Sequence, residues 1–555
     1  MAIDPKVWHD YDPETGIGDP STPLSAGYLA QVFAAQDTKN SVTYAASAML
    51  ISAGIDLTGA TDSTAAVQSL LNSAATFGLP VVLAPLSTVR VDALTVPSGT
   101  RLNLNGSTLK KTATSGAAML TATGASNVTI ENGIIDGDKA SWAAATEWRH
   151  GISILGSSHV TLRDLTVKSH KGDGIYVGVS GPVVSSDVVL DRVTCDLNHR
   201  NGMSVVGVSG LEATNCLFTN TTGTNPQAGV DIEPNSGTVV CADIKFTTCV
   251  FGGNGHFGFL VAFAYTATVR QGGIELIGCN VTGNGVAPDA FGGGVNVRHA
   301  DDFTMTAGTI YLNTGPGILN DWSDISTNVK FVGVNVETNT SHGLYVTQVV
   351  NGLSVIGCTF RGNGTAAAAT YDGINLSPPA AMSSVRLIGN RSYGVTQRYG
   401  LLTSSTVSSL VSVANDYSGN GTGSTSLSDD AATRTQADGG SGNYQSTRHF
   451  YYSTAAANAL SLRLIGDTND RFGALTDGRL MWSAGSGSLD VQLSRVAAGV
   501  IGVGVTQAIR TGVAATASRP AAAMVGVGSQ FYDSTLGKPI WSTGSAWKDA
   551  AGTVV

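Results

Sequence analysis

The sequence predicts an all-β chain, most of it one parallel β-solenoid of about eleven coils, with a helical segment before it and an antiparallel β domain after it. Three observations predict this. A unit recurs about every 28 residues, apolar and polar residues alternate within each short run, and one glycine keeps a fixed place in every unit.

The repeat sets the register. Ser158 to Val167 returns as Ser186 to Thr194, and Gly172 to Val177 returns as Arg200 to Val205. The first apolar residue of each unit gives the series Val128, Val160, Val188, Leu211, Ile244, Ile274, Phe303, Val329, Leu353, Val385 and Leu410; Val160 to Leu410 is 250 residues in nine steps. One unit cannot bury its inner face alone, so units stack and share a continuous core. The glycines 174, 202, 229, 258, 294, 317, 343, 373 and 400 fall at one point of the coil, where a bend with φ > 0 would favour glycine. Cys216, Cys249, Cys279 and Cys358 each lie five residues after a marker, which predicts an inward column of small apolar fillers rather than disulfides or metal ligands.

Composition fits the solenoid and excludes other classes. With 555 residues, 69 glycines and 13% charged residues, the chain suits many short strands and tight turns. The net charge is 31 − 40 = −9 and the basic residues are scattered, which argues against nucleic acid. Apolar stretches such as 499–505 are too short for membrane insertion, and Met1 to Asp10 lacks the pattern of a secretory leader. No metal-ligand spacing emerges, and no cofactor is expected.

The ends carry further signals. Val67, Leu70 and Leu71 have helical spacing behind a capping Asp62 or Ser63, and the runs from Pro80 to Ala84 and from Leu94 to Pro97 read as strands. This order resembles the opening of the pectate-lyase-like, right-handed parallel β-helix superfamily, where the helix closes the solenoid's open end. Residues 1–55 read as an N-terminal helical segment, and Thr22-Pro23-Leu24 before a helical run resembles the attachment segments of phage tail proteins. After the linker-like stretch from Ser418, residues 427–515 read as short antiparallel strands. Residues 516–555, with Arg519-Pro520, Gln530 to Trp541 and Trp547-Lys548-Asp549, resemble the terminal module of phage tail fibres and spikes. The solenoid itself is expected over 56–426.

Together these resemblances identify the chain as similar to bacteriophage tailspike depolymerases of the β-helix class. They imply a homotrimer on the virion, joined to tail or baseplate proteins through its N-terminus, whose partner is a bacterial capsule, exopolysaccharide or wall polysaccharide.

Alternation predicts which side chains face out. One outward column runs Tyr176, Ser204, Asp231, Leu260, Asn296, Leu319, Tyr345, Asn375, and a second holds Glu233, Arg298 and Asp321. Asp231 and Glu233 sit two residues apart, about 6.6 Å along a strand, a separation suited to the acid and base of glycoside hydrolysis. Asp321 is a third catalytic candidate, although three coils is about 14 Å. Candidates for binding substrate are Arg298 for an anionic sugar, Tyr176, Tyr345 and Trp322 for stacking, and Asn296 and His256 beside them. Asp173, Arg200, Asn201, His342 and Asp372 form a second polar edge next to the glycines, expected mainly to stabilise turns. A lyase would draw instead on His170, Lys171, His199 and Arg200, and an adhesin would use no carboxylate chemistry at all.

Overall fold

The computed structural model describes residues 54–427 apart from 113–114, 143–147, 264–268, 270, 290 and 322–324; it also describes the strands Met49–Leu50, Thr433–Gly439 and Asn458–Leu462, most of 471–503, and 508–555. These residues fall into two compact units, one before and one after about residue 450. The expected N-terminal helical segment lies outside the described residues, except that Met49–Leu50 is a strand bonded parallel to Val81–Val82.

The first unit is the solenoid, of about twelve turns. Its helix Thr64–Phe77 buries Val67, Leu70, Leu71 and Ala74, and ends at Gly78 in the left-handed conformation. Ser63 does not cap it by side chain; the Asp62 carboxylate accepts the Thr64 amide instead, at 2.9 Å. Stacking begins before Val128, where Leu102 pairs with Ile130, so the markers undercount the coils.

Every marker is buried and lies beside the marker of the next coil, as in Val160 beside Val188 and Ile244 beside Ile274. One core cluster runs from Ile55 to Tyr417. Each fully buried aliphatic or aromatic side chain contributes roughly 1.5–3 kcal/mol, so the stack stabilises the coil that follows it. Phe218 stacks on Phe251 at 5.5 Å, and Phe246 meets Phe259 edge-on at 5.1 Å.

The turns differ from the sequence expectation. The left-handed residues are not the repeated glycines but the positions four after each marker, such as Asn132 (φ 61°), Asp164 (52°), Asn215 (55°), Gly333 (63°) and Gly357 (62°). The cysteine column comes directly after this corner. Its thiols are buried and free, and each approaches a carbonyl of the preceding coil, as Cys249 Sγ does that of Ala213 at 3.4 Å.

The repeated glycines serve close approach instead. A Cβ on Gly343 would lie 2.5 Å from the Gly373 carbonyl oxygen and 2.9 Å from Asn363 Nδ2. Asn363 belongs to a buried amide ladder: Asn254, Asn284, Asn313, Asn339 and Asn363 each bond the next, with Nδ2 to Oδ1 distances of 2.8 to 2.9 Å. Backbone amides join it, as Asn313 N–H donates to Asn339 Oδ1 at 3.1 Å. His170 caps its N-terminal side, its amide donating to Asn198 Oδ1, and burial pushes the imidazole down to about 3.

The described residues of the second unit form two sheets. Asn458–Leu462, Phe472–Leu475, Leu480–Trp482, Val491–Ala497 and Val500–Val503 form an antiparallel meander, as expected for this region. Gly512–Ala514, Gln530–Asp533, Lys538–Ser542 and Trp547–Asp549 form a second sheet around Ala522, Ile540 and Trp547. The motif residues are those that fold it. Arg519 pairs with Asp533 at 2.7 Å, Trp547 Nε1 donates to the Pro520 carbonyl at 2.9 Å, and Gly537 takes φ 63° in the hairpin. Arg519→Ala strips buried Asp533 of its cation, and is expected to lower the melting temperature of this module while the solenoid's transition stays in place, as calorimetry would resolve.

Candidate active site

One sheet of the solenoid carries the outward columns. Its strands include Ile175–Ser180, Met203–Val205, Val230–Ile232, Phe257–Ala262, Gly293–His299, Ile318–Asn320 and Leu344–Val346. The first and third residues after each ladder glycine enter the core, as Val230 and Ile232 or Phe259 and Val261 do, and the second faces out. The register aligns Tyr176, Ser204, Asp231, Leu260, Asn296, Leu319 and Tyr345, each beside the next.

Facing out does not mean exposed here. Ser204, Asp231, Leu260, Asn296 and Leu319 are all buried, whereas Tyr176, Tyr345 and Glu233 are open to solvent in whole or part. Leu260 and Leu319 join Ala228 and Phe257 in a small apolar cluster outside the solenoid core, with Tyr345 packed against it. The face that carries these columns is therefore a partly apolar surface with polar groups sunk into it.

Asp231 is the most altered of these groups. It is 2% exposed, Asn201 Nδ2 donates to its Oδ2 at 3.3 Å, and its Oδ1 has no hydrogen-bond partner in the structure. Burial first, and then the negative charge of Glu233, push its carboxyl up to about 8 against the opposing pull of Arg200. That guanidinium is turned toward other groups: Arg200 Nη1 donates to Asp173 at 3.1 Å and to Ser204 at 3.2 Å. Asp173, fully buried, also takes the Asn201 amide at 3.0 Å. Its own amide donates to His150 Nδ1 at 3.1 Å, and that imidazole stacks on Tyr176 at 4.7 Å between centroids. Glu233 is exposed on the same strand's continuation, held by its amide to the Val205 carbonyl at 3.0 Å.

The other candidates form a separate group. The register passes from Val261 beside Val297 to Ala262 beside His299, so Arg298 is the extra residue of a bulge, which re-aims its side chain. Arg298 Nε donates to Asp321 at 3.2 Å, and its guanidinium lies 5.3 Å from the Phe291 ring. Asn296 Nδ2 bonds the same Asp321 oxygen at 3.0 Å. His256 Nε2 lies 2.9 Å from Asp289, below the Phe291 edge. Asp321 is thus engaged with Arg298 and Asn296, not with Asp231 and Glu233. Trp322 lies outside the described residues.

Comparison with known proteins places this geometry. The family described as "Right handed beta helix region" matches residues 87–240, 118–285 and 222–377, which together span 291 of 555 residues. The chain belongs to the right-handed β-helix family. No curated protein matches it by sequence. Among solved structures, the Dettilon tailspike protein shares 14% identity over 70% of each chain, with a TM-score of 0.50. The A-module of the Azotobacter vinelandii mannuronan C-5 epimerase AlgE4 shares 16% over 69% of this chain and 98% of that one, at 0.47. A protein of Geobacillus virus E2 shares 15% over 98% and 91%, at 0.38. At such identities the likeness is one of fold.

Within this β-helix, sequence reasoning separated groups that the fold unites. Asp173, Arg200 and Asn201 were assigned to a turn edge, yet they surround Asp231. The signal was available: each lies one or two residues before a ladder glycine, hence at the mouth of the strand that carries the outward column. His150 ends the insert from Trp142 to His150, which the sequence marks only as a candidate border of a groove, because the insert falls outside the repeat. Of the lyase candidates, His170 is buried, its amide bonded to Asn198 Oδ1, and cannot reach a substrate.

Proposed function

We propose that the chain is a phage tailspike, carried on the virion as a homotrimer, that binds a bacterial surface polysaccharide and hydrolyses its glycosidic bonds. The observation that carries this reading is the carboxyl of Asp231, buried so that its hold on a proton is raised, two residues from the exposed carboxylate of Glu233. A carboxylic acid that keeps its proton can give it to a departing glycosidic oxygen. Glu233 then acts as base toward water or as nucleophile toward the anomeric carbon, and a spacing of about 6.6 Å along the strand suits the pair. Water supplies the new C–O bond as the old one breaks, so no cofactor enters. Supporting the biological setting are the terminal module, which resembles those of phage tail fibres and spikes, and a fold shared with the Dettilon tailspike protein.

The test is incubation with purified bacterial capsule, exopolysaccharide and wall polysaccharides. Hydrolysis is expected to release reducing ends without the ultraviolet absorbance of an unsaturated product. Appearance of that absorbance would make the protein a lyase, and retained binding with neither signal would make it an adhesin.

A further inference from the structure

The same clasp occurs twice on the outward face, on either side of Asp231. In the first copy, His150 Nδ1 accepts the Asp173 amide at 3.1 Å, and Arg200 holds the Asp173 carboxylate at 3.1 Å. In the second, His342 Nδ1 accepts the Asp372 amide at 2.9 Å, and Arg398 holds Asp372 through two bonds of 2.9 and 2.8 Å. The three residues come from three successive coils in both copies, and both aspartates are fully buried. The amide after each arginine also donates to the aspartate, from Asn201 at 3.0 Å and from Tyr399 at 3.3 Å.

Each clasp holds its imidazole against the face of a partly exposed tyrosine, stacked in the first copy and tilted in the second. His150 and Tyr176 lie 4.7 Å apart at 17°, and His342 and Tyr345 lie 4.3 Å apart at 31°. A further aromatic stands edge-on to each histidine: Trp148, 61% exposed, and Tyr371. Burial pushes His342 down to about 4, so that ring is neutral and stacks as an apolar plate. Burying an aspartate under a partly exposed arginine only to fix a turn is wasteful, because desolvation of the carboxylate opposes it. Fixing the angle of an aromatic plate is a use that such rigidity serves, since a locked ring loses little entropy on meeting a ligand.

We propose that these two clasps are sugar-stacking platforms that seat one polysaccharide chain lying along the solenoid axis, with the Asp231–Glu233 pair between them. The inference rests on the polysaccharide reading above and extends it to chain direction and footprint. Tyr176 and Tyr345 are six rungs apart in register, about 29 Å at about 4.8 Å per rung. Asp231 is two rungs from the first and four from the second, about 10 and 19 Å. The ligand is therefore an oligosaccharide of several sugars with pyranose faces free for stacking, and cutting is off-centre within it.

The test begins with an array of bacterial capsule, lipopolysaccharide and wall glycans, probed with the full chain carrying Asp231→Asn so that binding is measured without cutting. Size-fractionated oligosaccharides of the retained polymer are then titrated against Trp148→Ala, Tyr176→Ala and Tyr345→Ala in that background. Each substitution is expected to weaken long fragments about tenfold, and the two tyrosine changes together about a hundredfold, because sites this far apart add. Fragments too short to span both platforms should respond to one of them only. Unchanged affinity in all three variants overturns the proposal, and so does an equal effect on short and long fragments. Trp148→Ala, at an exposed side chain, decides the first platform should Tyr176→Ala fail to fold, and Tyr345→Phe, expected to bind like the parent, controls the second. Loss of cutting in Asp231→Asn with unaffected tyrosine variants removes the platforms and leaves the hydrolase. Weakened binding in the tyrosine variants with cutting intact in Asp231→Asn removes the catalytic assignment and leaves the platforms. Retention of no glycan removes both.

Discussion

Asp231→Asn is expected to slow polysaccharide cutting by about 10²–10⁴-fold and, at the same time, to stabilise the fold at neutral and alkaline pH. The two effects share one cause. The ordinary carboxyl ionises near 3.8, whereas burial keeps the proton of folded Asp231 to about 8. Between those values only the unfolded chain releases this proton, so rising pH favours unfolding by mass action. Native stability from this group is full below about 4 and is lost progressively as pH climbs through about 8. Asparagine cannot ionise and escapes that loss, which is worth on the order of a few kcal/mol. Unfolding midpoints at pH 5 and above pH 8 would show it: the parent should drop between them by more than the variant. The same proton sets the alkaline limb of activity, and the rate should fall as pH passes about 8. Glu233→Gln is the contrasting case, because an exposed carboxylate carries no comparable desolvation. It should abolish cutting and, by removing the negative charge that helps to hold the proton on Asp231, soften the fall in stability with rising pH without eliminating it, because burial remains the larger cause. A variant Asp231→Asn that still cuts at the parent rate would remove the acid from the mechanism.

The fold was legible because its signal repeats. Val160, Val188 and Leu211 recur with the same neighbours, and a side chain that returns to the same place in each unit has one way to be buried, against its own counterpart in the next coil. The outward column was legible for the same reason, since alternation fixes direction once register is known. Exposure was not legible. Leu260 and Leu319 face out yet are covered, because covering depends on turns and irregular segments that obey no period. The acid at Asp231 was found by residue type and spacing, but its altered proton affinity depends on burial first, then on Glu233 of its own strand, with Arg200 arriving from the preceding coil and Asp173 from two coils back. Contacts across coils follow from the register, and they could have been written down by aligning the residues before each ladder glycine.

Glycine is where the repeat misled, and the two glycine sets should respond oppositely to substitution. Gly343→Ala is expected to destabilise the solenoid by about 2 kcal/mol or more, whereas Gly357→Asn should change it by only about 0.5 kcal/mol. Frequency in the sequence suggests that the invariant glycine sits where only glycine can bend, yet Gly343 is not in the left-handed region. A methyl group there meets the Gly373 carbonyl at 2.5 Å, Phe360 at 2.8 Å and Asn363 Nδ2 at 2.9 Å, none of which can retreat without opening the ladder. Gly357 does adopt φ 62°, but a Cβ there meets nothing, and Asn215 holds the equivalent corner at φ 55°. The amide ladder sharpens the contrast. Asn339→Ala takes away the oxygen that accepts from both the backbone and the side-chain amide of buried Asn313, and the donor to the Ile310 carbonyl, while Asn363 Oδ1 keeps only the backbone amide of residue 339. At about 1–3 kcal/mol per orphaned group, this substitution should exceed either glycine change. Urea midpoints for the three variants would order them, and a Gly357 substitution more damaging than Gly343→Ala would mean that the bend, not the close approach of neighbouring coils, fixes the glycine.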